Sequence, residues 1–313
     1  MPYTPAPGYT PVFKPALPYH HLLPGGLQPG TSVYVQGVVS QCAKRFSVDF
    51  AGGQDGGVNI PVHFNPRFDG NDKIVLNTFQ DGKWDTEEHQ QMPFHKGKHF
   101  EIIFTVRDEE YQILVNTNPV FSYKHKMPPQ SVKVVTIGGD LELQSLAVIE
   151  EPKKEKMLVM RDCGEGIPEH HLMLWAPAIF HPSMPFKNNI PGGLKPKMTF
   201  VIRGSVPNNA GGFAINFVAG PDIALHINPR LNQRSVVRNS FLRGSWGDEE
   251  TDVPYNPFEY GHYFELSIRC GQYRFIVYAN NEYFFSYTHR YIHFPQINTL
   301  TIGGDVNISY VQY

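Results

Sequence analysis

The chain has 313 residues, of which 41% are hydrophobic, and its formal net charge at pH 7 is -2. This length accommodates about two domains of ordinary size, each with a sizeable core. The near-neutral charge argues against a nucleic-acid-binding protein, which would need a strongly basic face, and the sequence lacks the run of ~18 apolar residues that a membrane-spanning helix needs. We therefore expect a protein that neither binds nucleic acid nor inserts into a membrane.

The start of the chain and its cysteines both indicate a cytoplasmic origin. Residues 1–10 are rich in Pro and Tyr and lack the basic and apolar regions of a signal peptide, so we expect synthesis in the cytosol. The three cysteines, Cys42, Cys163 and Cys270, have no Cys-x-x-Cys spacing and no matching positions in the two halves of the chain. This usage predicts free thiols in a reducing compartment instead of a disulfide framework.

Five sequence motifs occur twice in the same order, at an offset that stays between 163 and 167 residues. An offset of this size indicates one duplicated domain, because the repeats of a solenoid are only about 20–50 residues long. The paired segments are residues 13–19 and 180–186, 24–27 and 191–194, 63–67 and 226–230, 121–125 and 285–289, and 136–140 and 301–305.

The repeat predicts the domain organisation. A Pro- and Tyr-rich segment occupies residues 1–10, the first copy 11–150, a linker 151–176 and the second copy 177–313. The linker has no counterpart elsewhere in the chain, and it contains an apolar run at residues 172–175. This run either packs loosely on one domain or forms a short helix or docking site, and the sequence leaves these alternatives open.

Both copies have the period-two alternation of half-buried strands. In the first copy Phe100, Ile102, Phe104 and Val106 alternate with other side chains, and residues 264–268 repeat the pattern in the second. Turn-forming residues interrupt these runs often, and no long helical periodicity appears. The pattern predicts an all-β chain made of two antiparallel β-sandwich domains in tandem.

A polar cluster lies on one predicted strand of each copy. His63, Asn65 and Arg67 alternate along the strand and therefore share one face of the sheet. A turn at residues 69–70 follows, and Asn77 lies on the predicted next strand, on the same face. Three hydrogen-bonding side chains in a row indicate a face that is open to solvent or lines a groove.

The cluster continues with a Trp and a Glu at the same spacing in both copies. Its members are His63, Asn65, Arg67, Asn77, Trp84 and Glu87 in the first copy, and His226, Asn228, Arg230, Asn239, Trp246 and Glu249 in the second. His, Asn and Arg supply mixed donors and acceptors for hydroxyl groups, and a Trp supplies a flat apolar surface for a C–H face. Such a set predicts a carbohydrate-binding site, and galactose fits it best because its axial 4-OH leaves one ring face clear.

The order His-x-Asn-Pro-Arg, Asn, Trp-x-x-Glu resembles the signature of the galectins. Two such copies in one chain resemble a tandem-repeat galectin, and the Pro- and Tyr-rich start is most similar to the galectin-4 type. The resemblance implies jelly-roll-like sandwiches with two sheets of five or six strands each. It also implies binding without calcium or any cofactor, and export from the cytoplasm to the extracellular space without a signal peptide.

The resemblance also assigns roles to the cluster. His63, Asn65 and Arg67 would hold the galactose 4-OH and ring oxygen, Asn77 and Glu87 the 6-OH, and Trp84 would lie under the ring. Arg67 and Glu87 would also reach the second sugar, and the second copy would use its corresponding residues in the same way. The implied function is a bivalent lectin that recognises lactose and N-acetyllactosamine-type glycans, cross-links glycoproteins and glycolipids, and acts in cell adhesion. Self-association is left open.

The sequence departs from the family pattern Trp-Gly-x-Glu-x-Arg at three positions. In the first copy Asp85 replaces the Gly and His89 replaces the Arg, and in the second copy Thr251 replaces the Arg. By resemblance, that Arg helps to bind the sugar beyond galactose. We therefore expect both sites to bind galactose but to gain less from the second sugar.

Alternatives from other classes are less well supported. A glycosidase needs two carboxyl groups, one with a raised pKa, but each cluster offers a single well-placed carboxylate, Glu87 or Glu249, whose expected Arg neighbour would lower its pKa. The adjacent His pairs at residues 20–21 and 170–171 lack the spacing of metal ligands. A sandwich that has lost its sugar site and binds proteins remains an alternative, but both clusters are intact apart from the last Arg.

Overall fold

The computed structural model describes residues 9–54, 56–116, 118–150 and 178–313, which fall into two compact units, one on each side of residues 151–177. The predicted linker at 151–176, its apolar run, Cys163 and the His pair at 170–171 lie outside the described residues, as does most of the predicted segment 1–10. The predicted domain boundaries therefore stay a prediction.

The first unit consists of short strands joined by turns. Its strands are β1 (Val12–Phe13), β2 (Tyr19–Leu22), β3 (Thr31–Val39), β4 (Phe46–Ala51), β5 (Ile60–Arg67), β6 (Lys73–Gln80), β7 (Lys83–Trp84), β8 (Glu88–Gln91), β9 (His99–Val106), β10 (Glu110–Val115), β11 (Asn118–Lys124), β12 (Val134–Gly139) and β13 (Leu141–Glu150). A single 3-10 turn over Pro129–Ser131 precedes β12.

These strands form two antiparallel sheets. One sheet has the order β1-β13-β3-β9-β10-β11, and the other has the order β2-β12-β4-β5-β6-β7, with β8 also paired to β6. The second sheet therefore has seven strands, so the expected five or six is wrong for it. The extra strand arises because the chain pairs with one end of β6 as β7, leaves the sheet edge, and pairs with the other end as β8.

The second unit repeats the sandwich. Its strands are β14 (Ile179–Phe180), β15 (Phe186–Asn189), β16 (Thr199–Ser205), β17 (Phe213–Ala219), β18 (Asp222–Arg230), β19 (Ser235–Leu242), β20 (Ser245–Trp246), β21 (Tyr263–Cys270), β22 (Arg274–Ala279), β23 (Glu282–Thr288), β24 (Thr299–Gly304) and β25 (Asn307–Gln312). The sheet orders are β14-β25-β16-β21-β22-β23 and β15-β24-β17-β18-β19-β20. At the position of β8 this unit has only an isolated bridge between Arg238 and Glu250.

The core of each unit lies between its two sheets, and the prediction of all-β sandwiches is confirmed. The alternating residues of β9, among them Phe100 and Phe104, are buried there. Phe46 of β4 stacks on Phe100 with ring centroids 5.4 Å apart, and Phe213 stacks on Phe264 at 5.6 Å in the second unit. Burial of these apolar side chains drives the two sheets together.

A buried hydroxyl pair also joins the two sheets next to the polar cluster. The Thr78 hydroxyl on β6 donates to the carbonyl oxygen of Pro61 at 2.9 Å and lies 2.8 Å from the Tyr123 hydroxyl on β11. Ser240 and Tyr287 form the same contact at 2.7 Å in the second unit. Because Thr78 directly follows Asn77, this contact fixes the strand that carries part of the cluster.

Two of the three cysteines lie in the described part of the chain. Cys42 is exposed, Cys270 is buried, and both are free thiols. Within the same residues, no helix has the length and apolar character that crossing a membrane requires.

Candidate functional site

The β5–β6 hairpin places the polar cluster on the outer face of one sheet. His63 lies on this face, while the side chain of its neighbour Phe64 is buried in the core. The register pairs His63 with Asn77 on β6, so Asn77 lies on the next strand and on the same face of the sheet. In the second unit β18 and β19 pair His226 with Asn239 in the same way.

A groove of about 700 Å³ opens over this face of the first unit. All six predicted residues line it, so the structure brings the whole predicted set of the first copy together. The groove is lined by Arg45, Phe46, Ser47, His63, Asn65, Arg67, Asn77, Trp84, Asp85, Glu87, Gly138 and Gly139.

An arginine lies at the centre of each cluster and connects its members. Arg67 donates from Nε to the amide oxygen of Asn65 at 2.8 Å and from Nη2 to Glu87 at 2.9 Å. Arg230 makes the same two contacts, at 2.9 Å to Asn228 and 2.6 Å to Glu249. Because both ends of each guanidinium are bound, the donors of the site are fixed before any ligand arrives.

A neighbouring strand holds the histidine of each cluster. Nδ1 of His63 lies 2.5 Å from Oδ1 of Asp49 on β4, and Nδ1 of His226 lies 2.5 Å from the amide oxygen of Asn216 on β17. Burial, followed by the charge of Arg230, lowers the pKa of His226. Its ring is therefore neutral at pH 7.

Each tryptophan forms an exposed platform at the edge of its cluster. Trp84 is 51% exposed and Trp246 is 50% exposed, although both are large and apolar. The Trp84 ring lies 5.0 Å from His63 and 5.1 Å from Phe79, centroid to centroid, which holds it upright on the sheet edge. An exposed, fixed indole face is suited to stacking on an apolar ligand surface.

The asparagines of β6 and β19 hold the chain that follows each tryptophan. Asn77 is 4% exposed, and its amide nitrogen donates to the backbone oxygen of Asp85 at 2.9 Å. Asn239 donates to the backbone oxygen of Gly247 at 2.8 Å. These contacts fix the segment between the indole and the Glu of each cluster.

The carboxylates that line the first groove both have a lowered pKa. A hydrogen bond from His89 is the largest cause of the lowered pKa of Glu87, and the hydrogen bond from Arg67 adds to it. For Glu87 the direction is the expected one, but the main cause of the lowered pKa is His89, 2.9 Å away, and not Arg67. The backbone amide of Thr86 and then Lys126 lower the pKa of Asp85. Neither carboxyl group has the raised pKa that a general acid needs.

The two sites differ on the strand next to the cluster. Arg45 and Ser47 line the first groove, whereas the corresponding positions of the second unit are Gly212 and Ala214. Sequence reasoning missed Arg45, Ser47 and Asp49, although the polar residues of β4 alternate with buried ones. The first site therefore has an additional cation and hydroxyl at one end.

Comparisons with known proteins agree with this geometry. The family model for galactoside-binding lectins matches residues 18–148 and 185–313. Galectin-4 of Homo sapiens is 48% identical over 322 residues, and the alignment covers 100% of both chains. Galectin-6 of Mus musculus is 46% identical over 314 residues, with 99% of each chain covered. A 32 kDa beta-galactoside-binding lectin of Haemonchus contortus is 30% identical over 308 residues, with 96% of each covered.

The family match confirms the resemblance to tandem-repeat galectins, because it occurs once in each half of the chain and relatives align over their full lengths. It also confirms the prediction of a binding protein instead of an enzyme, since the matching family and relatives are lectins. The chain therefore belongs to the galactoside-binding lectin family and carries two domains of that family in tandem.

Proposed function

We propose that this lectin binds lactose and N-acetyllactosamine-type β-galactosides at both clusters and cross-links the molecules that carry them. The observation that supports this most strongly is the fixed guanidinium network beside an exposed indole. Arg67 is tied to Asn65 and Glu87 beside Trp84, and Arg230 is tied to Asn228 and Glu249 beside Trp246. A galactose ring presents hydroxyls on one side and a C–H face on the other, which matches this pair of surfaces.

The contacts of each side chain suggest its role in the first site. Asp49 engages Nδ1 of His63, so Nε2 is left for the galactose 4-OH. Asn65 and Arg67 complete the contacts to the 4-OH and the ring oxygen. Glu87 and Asn77 take the 6-OH. His226, Asn228, Arg230, Asn239, Trp246 and Glu249 take the corresponding roles in the second site.

We infer that this binding needs no calcium or other cofactor. The carboxylates of the first groove are already paired with cations, Glu87 with Arg67 and Asp85 with Lys126 at 3.0 Å, so they are poorly placed to coordinate a metal ion. The full chain should bind a lactose column in the presence of EDTA and elute with free lactose. Elution by EDTA alone would overturn this inference.

Bivalence is the functional consequence of two sites on one chain. A second attachment raises the apparent affinity for a dense glycan surface by a factor of about 10²–10⁴ without any new contact. The full chain should agglutinate galactoside-coated beads, and excess lactose should reverse the effect. Arg67→Ala or Arg230→Ala alone should nearly abolish agglutination while the lactose column still retains the protein. A single-site variant that agglutinates at the parental concentration would mean that self-association supplies the second site.

We further propose that the protein is made in the cytoplasm and leaves the cell by a route other than the secretory pathway, and that glycoproteins and glycolipids at cell surfaces are its partners in adhesion. The exposed free thiol of Cys42 is typical of a protein from a reducing compartment. Release from cells should continue when transport through the secretory pathway is blocked. A block that retains the protein would contradict the proposed route.

A further inference from the structure

A cation from the opposite sheet reaches the segment that follows the tryptophan in each unit. Lys126 lies two residues beyond β11, and Arg290 lies two residues beyond β23, at the same distance after the repeated Tyr-x-His sequence. Neither residue belongs to the strands that carry the polar cluster. Their side chains nevertheless contact the chain between the Trp and the end of the cluster.

In the second unit, Arg290 makes several contacts with this segment. Its Nη1 donates to the side-chain oxygen of Asn239 at 3.0 Å and to the backbone oxygen of Asp248 at 2.9 Å. Its Nη2 donates to Glu250 at 2.8 Å, and the guanidinium lies over the Tyr287 ring, 4.9 Å from its centroid. Arg290 thus binds both a cluster residue and the backbone next to Glu249.

In the first unit, Lys126 contacts the same segment through side chains. Its Nζ lies 3.0 Å from a carboxylate oxygen of Asp85 and 3.3 Å from one of Glu88, and it lies over the Tyr123 ring at 5.0 Å. Asp85 is the residue that replaces the glycine of the family pattern. The departure at Asp85 is therefore matched by a lysine where the second unit has an arginine.

The pairs Asp85–Lys126 and Gly247–Arg290 lie at equivalent positions of the two units. A Cβ atom at Gly247 would lie 2.8 Å from Nη1 of Arg290 and 3.3 Å from the side-chain oxygen of Asn239. Gly247 is not in the left-handed backbone region, so what excludes a side chain there is the guanidinium and not the backbone. The first unit has the side chain of Asp85 at this position and the slimmer ammonium of Lys126 as its partner.

The backbone of the segment is held alike in both units. The backbone amide of Asp85 donates to the backbone oxygen of Thr78 at 2.9 Å, and the backbone amide of Gly247 donates to the backbone oxygen of Ser240 at 3.0 Å. After this point, β8 pairs the segment of the first unit with β6 at four positions. The second unit has a single bridge there, between Arg238 and Glu250. The segment of the second unit therefore depends more on its cation.

We propose that Lys126 and Arg290 are positioning residues of the two sugar sites, and that Asp85–Lys126 and Gly247–Arg290 are interchangeable ways of holding the Trp–Glu segment. The role of these residues in sugar binding rests on the proposed function. We expect the exchange of one member to disturb the arrangement. A side chain at position 247 displaces the guanidinium of Arg290 from its contacts with Asn239 and Asp248, and Lys126→Arg sets a bulkier group against Asp85. Exchanging both members restores it.

The test uses the full chain with Arg67→Ala, so that lactose titration reports the second site. Gly247→Asp should weaken lactose binding about tenfold, and adding Arg290→Lys should recover most of the loss, because contacting residues couple strongly. In an Arg230→Ala background, the chain with both Asp85→Gly and Lys126→Arg should likewise bind lactose better than the chain with Lys126→Arg alone. This gain should be smaller than the recovery at the second site. Ser245→Asp, which adds the same charge two residues away, is the matched control and should leave binding near the parental level.

The NMR signal of the Trp246 indole N–H, recorded without sugar, separates this proposal from the proposed function. It should shift in Gly247→Asp and return toward the parental position when Arg290→Lys is added, whether or not lactose binds. Parental lactose affinity in Gly247→Asp, or a double variant weaker than either single one, would overturn the proposal. If Gly247→Asp does not fold, Gly247→Ala applies the same test with a single added carbon.

Discussion

Nδ1 of His63 lies 2.5 Å from the carboxylate of Asp49, a residue directly opposite it on the neighbouring strand. A carboxylate only accepts hydrogen bonds, so Nδ1 of His63 is the donor in this contact and Nε2 is left for another partner. Asn216 faces His226 at the same distance in the second unit. The orientation of the histidine in each cluster is thus set by a residue outside the predicted cluster.

Asp49→Ala should weaken lactose binding at the first site, and Asp49→Asn should largely preserve it. The alanine removes a hydrogen bond worth about 0.5–1.5 kcal/mol, or about two- to twelvefold in affinity, whereas the amide oxygen of Asn can replace the carboxylate, as Asn216 does in the second unit. Titration of full chains that carry Arg230→Ala measures the effect. Equal losses in the two variants would mean that the charge of Asp49, and not its hydrogen bond, matters.

Lactose binding at the second site should resist mild acid. Burial, followed by the charge of Arg230, lowers the pKa of His226 below its ordinary value of 6.5. The ring therefore stays neutral as the pH falls through 6.5, and its acceptor nitrogen is lost only at lower pH. In titrations of the Arg67→Ala chain, the affinity should stay near its value at neutral pH as the pH falls through 6.5, whereas a decline centred at pH 6.5 would contradict the assignment.

Each exposed indole should contribute strongly to affinity and little to stability. Trp84→Ala should weaken lactose binding at the first site by about tenfold, because stacking adds roughly 0.5–1.5 kcal/mol to the effect of the apolar area that the sugar covers. Trp84→Phe keeps an aromatic face and should recover part of the loss. The unfolding temperature should change little in either variant, since Trp84 is 51% exposed in the folded protein. Parental binding by Trp84→Ala would place the stacking surface elsewhere.

The histidine that replaces the family's arginine should limit the contribution of the second sugar. His89 lies 2.9 Å from Glu87 and is about half exposed, at 49%, so an arginine there would keep this contact and extend toward the ligand. His89→Arg should therefore strengthen binding of lactose more than binding of methyl galactoside, which has a methyl group in place of the second sugar. The same comparison for Thr251→Arg serves as the matched test in the second unit. Equal gains for both ligands would argue against this role.

The hydroxyl pair between the sheets should contribute to stability. Tyr123→Phe removes the 2.8 Å contact with Thr78 and should lower the free energy of unfolding by about 1 kcal/mol. Denaturant unfolding of the full chain measures it. Tyr273→Phe is the control, because this side chain is 72% exposed. A similar loss in both variants would show that the hydroxyl pair adds nothing of its own.

Most of the fold and of the cluster follows from short-range patterns in the sequence. Period-two alternation in β5 and β9 predicts strands with one buried face, and it places His63, Asn65 and Arg67 together on the other face. The duplication adds independent support, because the same spacing occurs in both halves. The structure brings the predicted residues of the first copy into one groove.

The contacts that the sequence did not predict come from strands that are remote along the chain. Asp49 lies on β4, on the far side of a long turn, and Lys126 comes from the other sheet. Sequence reasoning could have noticed both, since Asp49 is an alternating polar residue and a basic residue follows the repeated Tyr-x-His in both copies. Their partners, however, depend on sheet order and on the approach of two sheets, which local periodicity does not specify. The strand β8 was missed because its ladder has no apolar alternation.

Lys126 and Arg290 follow the edge strands of the opposite sheets, and this origin also limits how the two sites can be recombined. The groove-lining residues from Arg45 to Glu87 come from one continuous stretch of sequence. This stretch is the segment that one would transfer to give one domain the ligand specificity of the other. Such a graft leaves the cation behind, so a chimera with the first stretch in the second domain sets Asp85 against Arg290. On the proposed role of Lys126 and Arg290, a functional transplant must also carry the lysine, and sequence changes at these two distant positions must be made together.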